Sequence, residues 1–205
     1  MNVLLIRRRR PAGEPDVGRG HGGTIGRSPT LQLLDGTTGA GRICAALLDL
    51  GVTLDGVRQA VFDASAPVED LESIDLAERA RLVVLGSHLV NAPEPERRAA
   101  FLDLAARHVE LGGTLIVEHH PVDWAETAGD VEPTPGSALG MVNVRRDPPF
   151  VSAVSVFDAF GRVVRQPFRA RVLSEAELVS ELDSAGFAVA RRLGPTWIEA
   201  RRTTG

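Results

Sequence analysis

The chain is poor in cysteine and has no long apolar segment. Its single cysteine, Cys44, excludes an intramolecular disulfide framework and a cysteine-rich zinc site, and it fits a reducing compartment. The apolar start MNVLLI precedes a run of arginines instead of following one, so it predicts neither a signal peptide nor a membrane span. We therefore expect a cytoplasmic protein that has no membrane partner.

Positive charge is not in excess either. The 23 Lys and Arg residues and the 27 Asp and Glu residues give a formal net charge of -4, which argues against general nucleic-acid binding. Arg7 to Arg10 form the one basic run, and such a run is more typical of a solvated arm than of a phosphate or membrane site. With 43% hydrophobic residues, the 205-residue chain is long and apolar enough for one compact domain with a core.

Strand-like and helix-like segments alternate over roughly the first 120 residues. The strands carry few polar residues, which indicates a mostly parallel sheet covered on both faces, and hence an α/β fold. Glycines mark the helix ends, at Gly51 and at the pair Gly112 and Gly113. Strands are predicted at 31–35, 57–63, 81–86 and 113–120, and helices at about 39–50 and 95–110.

The pattern changes after residue 120. Three segments between about 137 and 172 have the alternation and turn residues of an inserted antiparallel β-meander. Ser174 and Glu177 have the spacing of a capping box, which predicts a helix that begins there and ends at Gly186. A terminal antiparallel hairpin is expected around Gly194 and Pro195.

The first 30 residues are interpreted as a separate unit. Residues 1–6 are β-like, and residues 11–30 are rich in glycine and proline, which is typical of a mobile loop or lid. We therefore divide the chain into an N-terminal strand and loop (1–30) and a main domain (31–205) that contains the meander (about 137–172).

The turn DGTTGAG, residues 35–41, is the first candidate ligand site. It follows a predicted strand and opens a helix, where glycines let a ligand approach the backbone and the free N–H groups of the helix start. Its glycine spacing differs from the dinucleotide fingerprint, and it lacks the lysine of a phosphate-binding loop. The carboxylate of Asp35 suits an ammonium group better than a phosphate. A tight structural turn is the alternative.

Several segments, taken in order, resemble the class I S-adenosylmethionine-dependent methyltransferases over residues 31–202. They are LLDGTTGAGRICAALLDLG, VFDAS, RLVVLGSHLVN and RRAAFLDLAARHVELGGTLIVEHHPVDW, of which RHVELGGTLIVE is the most specific. The resemblance implies a Rossmann-like methyltransferase fold and S-adenosylmethionine as the cofactor. It also implies three sets of cofactor-binding residues: Asp35, Gly36, Thr37, Gly39 and Gly41 for the methionine end, Asp63 and Ala64 for the adenine edge, and Gly86, Ser87 and His88 beside the methyl group.

The chain departs from this family in two places. Thr37 stands where the family turn usually has glycine. In addition, only residues 52–62 separate Gly51 from Asp63, whereas a parallel crossover takes about a dozen residues beyond its two strands. The second strand–helix unit, whose acid binds the ribose in the family, is therefore predicted to be missing or shortened. The edge that this loss exposes would be covered by residues 1–6 or by a second subunit in a homodimer.

Methyl transfer from a sulfonium depends mainly on positioning and needs at most one base. Asp123 and three histidines, His88, His119 and His120, are the candidates for this base or for orienting the acceptor. Histidine titrates near neutrality, and the three histidines lie at the carboxyl ends of predicted strands. A structural hydrogen bond is the alternative role for each histidine. Asn91 and Trp124 are candidate substrate-binding residues, and a core role is the alternative for Trp124. No metal site is predicted, because His88, His119 and a carboxylate have no recognised ligand spacing.

The resemblance thus predicts methyl transfer to the O, N or C atom of a small organic acceptor. Two other hypotheses stay open. One is a methyltransferase-like scaffold that catalyses a non-methylating reaction, such as a cyclisation or rearrangement, and the other is a non-catalytic subunit.

Overall fold

A computed structural model of the protein describes residues 3–8, 24–27, 49, 57–62, 79–132, 139–159 and 162–203. These residues form an α/β structure with two sheets. The strands are β1 (Val3–Arg8), β2 (Thr24–Arg27), β3 (Val57–Phe62), β4 (Ala80–Leu85), β5 (Val109–Glu118), β6 (Leu139–Asp147), β7 (Phe150–Ala159), β8 (Arg162–Arg171), β9 (Phe187–Arg192) and β10 (Trp197–Arg202). The helices are α1 (Pro95–His108), α2 (Trp124–Thr127) and α3 (Glu175–Ser184).

Seven of the described strands form one mixed sheet in the order β2-β3-β1-β4-β5-β10-β9. Strands β3, β1, β4 and β5 are parallel, and β2, at one edge, is antiparallel to β3. At the other side β10 runs antiparallel to both β5 and β9. Chain order reverses between β1 and β4, so this pair is the topological switch point, outside whose carboxyl end ligands bind in open α/β sheets.

The N-terminal strand lies at this switch point. Of the two expected covers for an exposed edge, residues 1–6 or a second subunit, the first does not apply, because β1 pairs with β3 on one side and with β4 on the other. The edge position is taken instead by β2, which belongs to the glycine-rich segment that the sequence predicts to be a loop. The predicted strand at 31–35 lies outside the described residues, as does the predicted helix at 39–50 except for Asp49, which is helical.

The second sheet contains three antiparallel strands in the order β6-β7-β8, between β5 and α3 in the chain. An apolar cluster joins it to α2. Val151 of β7 and Val172 are buried with Ala125 and Ala128, and Trp124 packs against this cluster from its rim. Trp124 is therefore held by contacts with the second sheet, although its own side chain is half-buried.

The main core lies between the seven-stranded sheet and helices α1 and α3. Phe101 and Leu104 of α1 and Leu178 and Leu182 of α3 are buried in one cluster with residues of β4, β5, β9 and β10. Helix α3 begins as the sequence predicts, since Ser174 and Glu177 form both hydrogen bonds of the capping box. The terminal hairpin of β9 and β10 is also present where it was expected.

Helix α1 is shorter than predicted. The pattern predicts a helix at about 95–110 that is closed by Gly112 and Gly113, but α1 ends at His108 and β5 starts at once with Val109. Both glycines lie within β5, near a register irregularity between β4 and β5. Gly112 has a φ of +72°, which explains why glycine is used at that point of the strand. Within the described ranges, no helix combines the length and the apolar character needed to cross a membrane.

Candidate active site

The candidate site is built by the two loops that follow β4 and β5. These strands are parallel neighbours with Leu85 opposite Val117, so the residues after each strand emerge at the same edge of the sheet. Ser87 and His88 follow β4 with φ values of 60° and 53°, in the left-handed region that non-glycine residues rarely adopt. Such backbone strain is concentrated at functional sites, where the surroundings hold it in place.

Glu118, the last residue of β5, fixes the first of these loops. Its Oε2 atom accepts a hydrogen bond of 2.5 Å from the backbone N–H of Ser87. Its Oε1 atom lies 3.7 Å from Nε2 of His88. The carboxylate is 12% exposed and the His88 side chain 32%, so the imidazole is reachable from solvent while its carboxylate neighbour is largely covered.

Three rings stack across the two loops. The rings of His88 and His120 are 3.9 Å apart between centroids, with an interplanar angle of 12°. His120 stacks in turn on Trp124 at 3.7 Å and 6°. Phe168 of β8 continues the series at a longer distance, 6.5 Å from Trp124 at 14°. We call His88, His120, Trp124 and Phe168 the ring stack.

Asn91 links the loop after β5 to strand β8 through its side-chain amide. It lies in a single 3-10 turn, Leu89–Asn91, and is 1% exposed. Its Oδ1 atom accepts a hydrogen bond from the backbone N–H of His120, and its Nδ2 atom donates one to the carbonyl of Arg171 in β8. The sequence analysis assigned Asn91 to substrate binding. In the structure the side chain is buried and both of its polar atoms hold backbone groups, so a role in positioning the two loops accompanies the predicted one.

The two consecutive histidines have different surroundings. His119 is 3% exposed, and its Nδ1 atom lies 2.8 Å from the carbonyl oxygen of His120. Because a carbonyl only accepts, Nδ1 carries the proton and Nε2 is left as a lone-pair acceptor. Among the described residues this Nε2 atom has no hydrogen-bond partner. Burial, opposed in part by the hydrogen bond to His120, lowers the pKa of His119 below its ordinary value of 6.5.

The pKa of His120 is lowered further than that of His119. Burial, followed by the charges of His88 and His119, lowers the pKa of His120 well below 6.5. At neutral pH His120 is therefore a neutral ring between two other rings. Its stacking position explains this, since both faces of the imidazole are shielded from water by His88 and Trp124.

The structure thus brings together several residues that the sequence analysis selected: Gly86, Ser87, His88, Asn91, His119, His120 and Trp124. The cofactor-binding residues predicted from the resemblance, Asp35, Gly36, Thr37, Gly39, Gly41, Asp63 and Ala64, lie outside the described residues. Sequence reasoning missed Glu118 and the place of Phe168 in the stack. Glu118 had a detectable signal, because it is an acid at the end of an otherwise apolar strand.

The donor set at this edge fits an organic cation better than a metal ion. In the part of the chain that the structure describes, no three or more His, Cys, Asp or Glu side chains are arranged to hold a metal. The Glu118 carboxylate and the half-buried indole of Trp124 are groups that attract an organic cation such as a sulfonium. They are compatible with the cofactor that the resemblance implies.

No protein-family model matches the chain, and a comparison with curated protein sequences finds no match.

Solved structures do match it. The CcbJ methyltransferase from Streptomyces caelestis matches with a TM-score of 0.56 and 17% identity, covering 98% of this chain and 83% of its own. An S-adenosylmethionine-dependent methyltransferase from Clostridium acetobutylicum matches with a TM-score of 0.54 and 10% identity, over 82% of this chain and 73% of its own. The sugar N-methyltransferase KedS8 from a Streptoalloteichus species matches with a TM-score of 0.51 and 15% identity, over 99% and 81%. The chain therefore has the fold of Rossmann-like methyltransferases, which confirms the predicted resemblance at the level of the fold.

Proposed function

We propose that the protein is an S-adenosylmethionine-dependent methyltransferase that acts on a small organic acceptor. The observation that carries the proposal is the position of the ring stack and Glu118: they follow the strands beside the switch point in a sheet that has the methyltransferase fold. Ligands bind at this point in open α/β sheets. The proteins similar in structure include a sugar N-methyltransferase, which supports a small-molecule acceptor over a macromolecule.

The proposed cofactor site consists of two sequence segments, the turn at residues 35–41 and the pair Asp63 and Ala64. Asp63 directly follows β3 in the sequence, and β3 lies beside β1; with Ala64 it would bind the adenosine part. Asp35 and the turn that contains Gly36, Thr37, Gly39 and Gly41 would hold the methionine part, since a carboxylate pairs with its ammonium group. When bound, the cofactor supplies an activated methyl group on a sulfonium.

His88 is the proposed base for the acceptor proton. It follows β4 beside the switch point, it is partly exposed, and the Glu118 carboxylate lies 3.7 Å from its Nε2 atom. A carboxylate next to an imidazole orients the ring and stabilises the imidazolium that forms when the base takes a proton. Of the three candidate histidines, His88 alone combines solvent access with a neighbouring carboxylate.

His119 and His120 are proposed to have supporting roles. His120 is a neutral ring that packs against His88 and holds it in position. His119 is buried, and its Nδ1 proton is engaged by the backbone. Gly86 is buried at the end of β4, and Ser87 donates its N–H to Glu118, so both shape the loop that carries His88.

We also propose an inserted sheet within the domain and a homodimeric assembly. The three-stranded sheet, together with the segment from about 137 to 172, is proposed to be an insertion into the methyltransferase domain. This domain also includes β1 and β2, which precede residue 31, because both belong to the seven-stranded sheet. A homodimer remains the proposed assembly, and light scattering of the full chain tests it directly. A monomer at all accessible concentrations would contradict it.

Calorimetry with S-adenosylhomocysteine tests the proposed function. The parent protein should bind it, and Asp35→Ala and Asp63→Ala should each weaken binding about tenfold or more, because a hydrogen bond to a charged group contributes about 1.5–3 kcal/mol. Asp103→Ala is the matched control, since Asp103 is exposed on α1. A parent protein that does not bind the compound contradicts the methyltransferase function and favours the repurposed scaffold or the non-catalytic subunit.

A second experiment tests the base. Methyl transfer from labelled S-adenosylmethionine to a panel of small hydroxyl- and amine-bearing acceptors should fall about a hundredfold in His88→Gln, the order of magnitude for a general base. Glu118→Gln should also lower turnover and should shift its pH profile. Affinity for S-adenosylhomocysteine should be unchanged in His88→Gln. Full turnover in this variant would show that His88 is not the base.

A further inference from the structure

The three-stranded sheet carries an excess of positive charge. Six arginines and two aspartates give residues 139–171 a net charge of +4, although the whole chain has a net charge of -4. The rest of the chain therefore carries -8. Protein interfaces are arranged so that a positive patch meets a negative one, which makes this sheet a candidate docking surface.

Strand register places three of these arginines on one side of the sheet. Arg145 of β6, Ser152 of β7 and Arg169 of β8 are Cα partners across the three strands, and residues paired in this way point to the same side. Arg165 joins them, because residues an even number of positions apart on a strand share a side. We call Arg145, Ser152, Arg165 and Arg169 the arginine face. The strand geometry puts Arg169 about 10 Å from Arg145 and about 13 Å from Arg165 between Cα atoms.

The arginines of this face differ from most described arginines in having no acidic partner. Arg145, Arg165 and Arg169 are exposed, and none of them forms an ion pair with a described residue. Six described arginines outside the sheet do form ion pairs: Arg81, Arg97, Arg98, Arg191, Arg192 and Arg201. The positive charge of the arginine face is therefore not neutralised by the described part of the chain.

One of these cations is also held in place. The Cζ atom of Arg169 lies 4.1 Å from the centroid of the Phe150 ring, so the guanidinium stacks on an aromatic side chain of the same sheet. A side chain that is already fixed loses less conformational freedom when a partner binds. This contact favours a binding role for Arg169 over that of a freely moving surface charge.

The opposite side of β8 points toward the candidate active site. Phe168 and Ala170 alternate with Arg169 along the strand, and Phe168 lies beside Trp124 in the ring stack. Ala170 is in register with Val151, which is buried in the cluster that contains residues of α2. The sheet therefore separates a molecule on the arginine face from the ring stack, so both surfaces can be occupied at once.

We propose that the arginine face binds an acidic protein surface, one that presents several Asp or Glu carboxylates. Each guanidinium can pair with a carboxylate through two hydrogen bonds. Because the cations are spread over about 13 Å, they need several acids on one molecule to engage them together. The proposal rests on the charges and the strand register, and not on the proposed methyltransferase function.

Three other occupants fit the arginine face less well. Single-stranded nucleic acids bind by stacking bases on aromatic side chains, but the ring of Phe150 is covered by Arg169. Membrane-surface elements insert large apolar side chains, and among the described residues on this side Val163 alone is large, apolar and well exposed. A second copy that docked the same face through a two-fold axis would place arginines against arginines.

Fluorescence anisotropy with a labelled peptide of ten glutamates, decaglutamate, tests the proposal on the full chain. Two variants lose three positive charges each. The face variant carries Arg145→Gln, Arg165→Gln and Arg169→Gln. The control variant changes three exposed arginines outside the three-stranded sheet: Arg79→Gln, Arg81→Gln and Arg107→Gln.

The parent should bind decaglutamate with an affinity that falls as salt is added. The face variant should bind it about tenfold or more weakly, because the small contributions of three exposed charge pairs add up. The control variant should bind it nearly as well as the parent does. Equal weakening in both variants would show that only net charge matters and would overturn the proposal, as would a parent that does not bind the peptide at low salt.

Other probes decide between the occupants. Oligothymidylate of ten nucleotides and phosphatidylserine vesicles should each bind the parent more weakly than decaglutamate does at about 0.15 M salt. Tighter binding of either one overturns the assignment to a protein partner. Light scattering addresses the second copy: a parent dimer that dissociates in the face variant, but not in the control variant, would make the occupant a second copy and overturn the proposal.

A competition experiment separates this surface from the active site. Saturating S-adenosylhomocysteine should leave the affinity for decaglutamate unchanged, because the sheet lies between the two surfaces. Loss of peptide binding in its presence would place the peptide in the candidate active site and overturn the proposal. A parent that binds decaglutamate but not S-adenosylhomocysteine supports the arginine face and contradicts only the proposed function.

Discussion

The imidazole of His120 lies almost parallel to the indole of Trp124, with their centroids 3.7 Å apart and an interplanar angle of 6°. His88 covers the opposite face of the same imidazole. A protonated His120 would therefore lose most of its hydration and would lie against two other histidines. The half-buried ring therefore remains neutral at physiological pH, because its loss of hydration and the neighbouring histidine charges lower its pKa well below 6.5.

This lowered pKa predicts acid sensitivity. In the unfolded chain His120 takes up a proton as the pH falls through about 6.5, whereas in the folded protein it does so only at a much lower pH. The unfolded state binds more protons in this window, so the free energy of unfolding should fall with decreasing pH by up to about 1.4 kcal/mol per pH unit for this one proton. His119, whose pKa is also lowered, should add to the loss.

Urea denaturation at several pH values between about 7.5 and 5 measures this effect. In His120→Gln, the slope of unfolding free energy against pH should be smaller, whatever its stability at neutral pH. Histidine NMR signals would show directly whether His120 titrates below its ordinary value of 6.5. Identical slopes for the parent and the variant would mean that His120 is solvated and not enclosed by the stack.

Asn91 predicts a different kind of sensitivity. Replacing it with Leu retains much of its volume but leaves the N–H of His120 and the carbonyl of Arg171 without their side-chain partner. A fully buried group that loses its partner costs about 1–3 kcal/mol, and these two groups are partly buried, so Asn91→Leu should lower the free energy of unfolding by at most about 2–6 kcal/mol. Near-ultraviolet circular dichroism should also change, because the orientation of His120 against Trp124 depends on this contact.

A surface hydrogen bond provides the control for Asn91. Ser184 donates to the carbonyl of Ser180 on the exposed side of α3, and Ser184→Ala should change stability by less than about 0.5 kcal/mol. If Asn91→Leu lowered the free energy of unfolding as little as Ser184→Ala does, Asn91 would not be the residue that holds the two loops and β8 together.

The sequence predicted the helices and strands whose formation depends on neighbouring residues in the chain. The capping box at Ser174 and the apolar pattern of residues 81–86 depend on residues close in sequence, and α3 and β4 are present there. The position of β1 could not be read in this way. Its six residues look the same at an edge as in the centre of a sheet, and parallel pairing with β3 and β4 depends on contacts distant in sequence.

The sequence also predicted only those features of the candidate site that follow from the order of the strands. The strand ends put His88 and His120 at one edge of the sheet, and that inference needed only the parallel order of β4 and β5. The stacking of the two rings depends on the left-handed backbone at Ser87 and His88, for which the sequence offers no glycine as a signal. The different surroundings of His119 and His120 likewise depend on where β5 ends: the sequence predicts both histidines within the strand, but β5 ends at Glu118.

Arg98 should be one of the most sensitive positions outside the site. Its side chain is 2% exposed, with Nε 2.8 Å from Oε1 of Glu181, and its Nη1 atom donates to the carbonyls of Ala92 and Pro93. It thereby fixes the segment after Asn91 to α3. Arg98→Met should lower the free energy of unfolding by about 3–5 kcal/mol, the usual effect of removing one partner of a buried ion pair.

The exposed pair of Arg81 and Glu110 is the matched control for Arg98. Its atoms are 3.9 Å apart and the side chains are 73% and 48% exposed, so Arg81→Met should cost no more than about 1 kcal/mol. Chemical denaturation of both variants gives the comparison. Similar small losses in the two would show that Arg98 contributes packing of its aliphatic part and little through its charge.

The two glycines of β5 should respond to substitution for different reasons. A Cβ atom at Gly113 would lie 2.8 Å from the carbonyl oxygen of Glu110 and 3.1 Å from that of Arg81, and backbone atoms cannot move aside easily. Gly113→Ala should therefore destabilise the protein by about 1–3 kcal/mol through overpacking. At Gly112 there is open space around a Cβ, but φ is +72°, so Gly112→Ala should cost about 1–2 kcal/mol through backbone strain alone.

A third substitution separates strain from steric overlap at these glycines. Asparagine tolerates the left-handed region better than alanine does, so Gly112→Asn should be less destabilising than Gly112→Ala. Gly113→Asn should be at least as destabilising as Gly113→Ala, because the overlap involves the Cβ atom that both residues carry. Gly129, with nothing within 4 Å of an added Cβ, is the control at which alanine should be tolerated. Equal losses for Ala and Asn at Gly112 would show that its positive φ is not what requires glycine there.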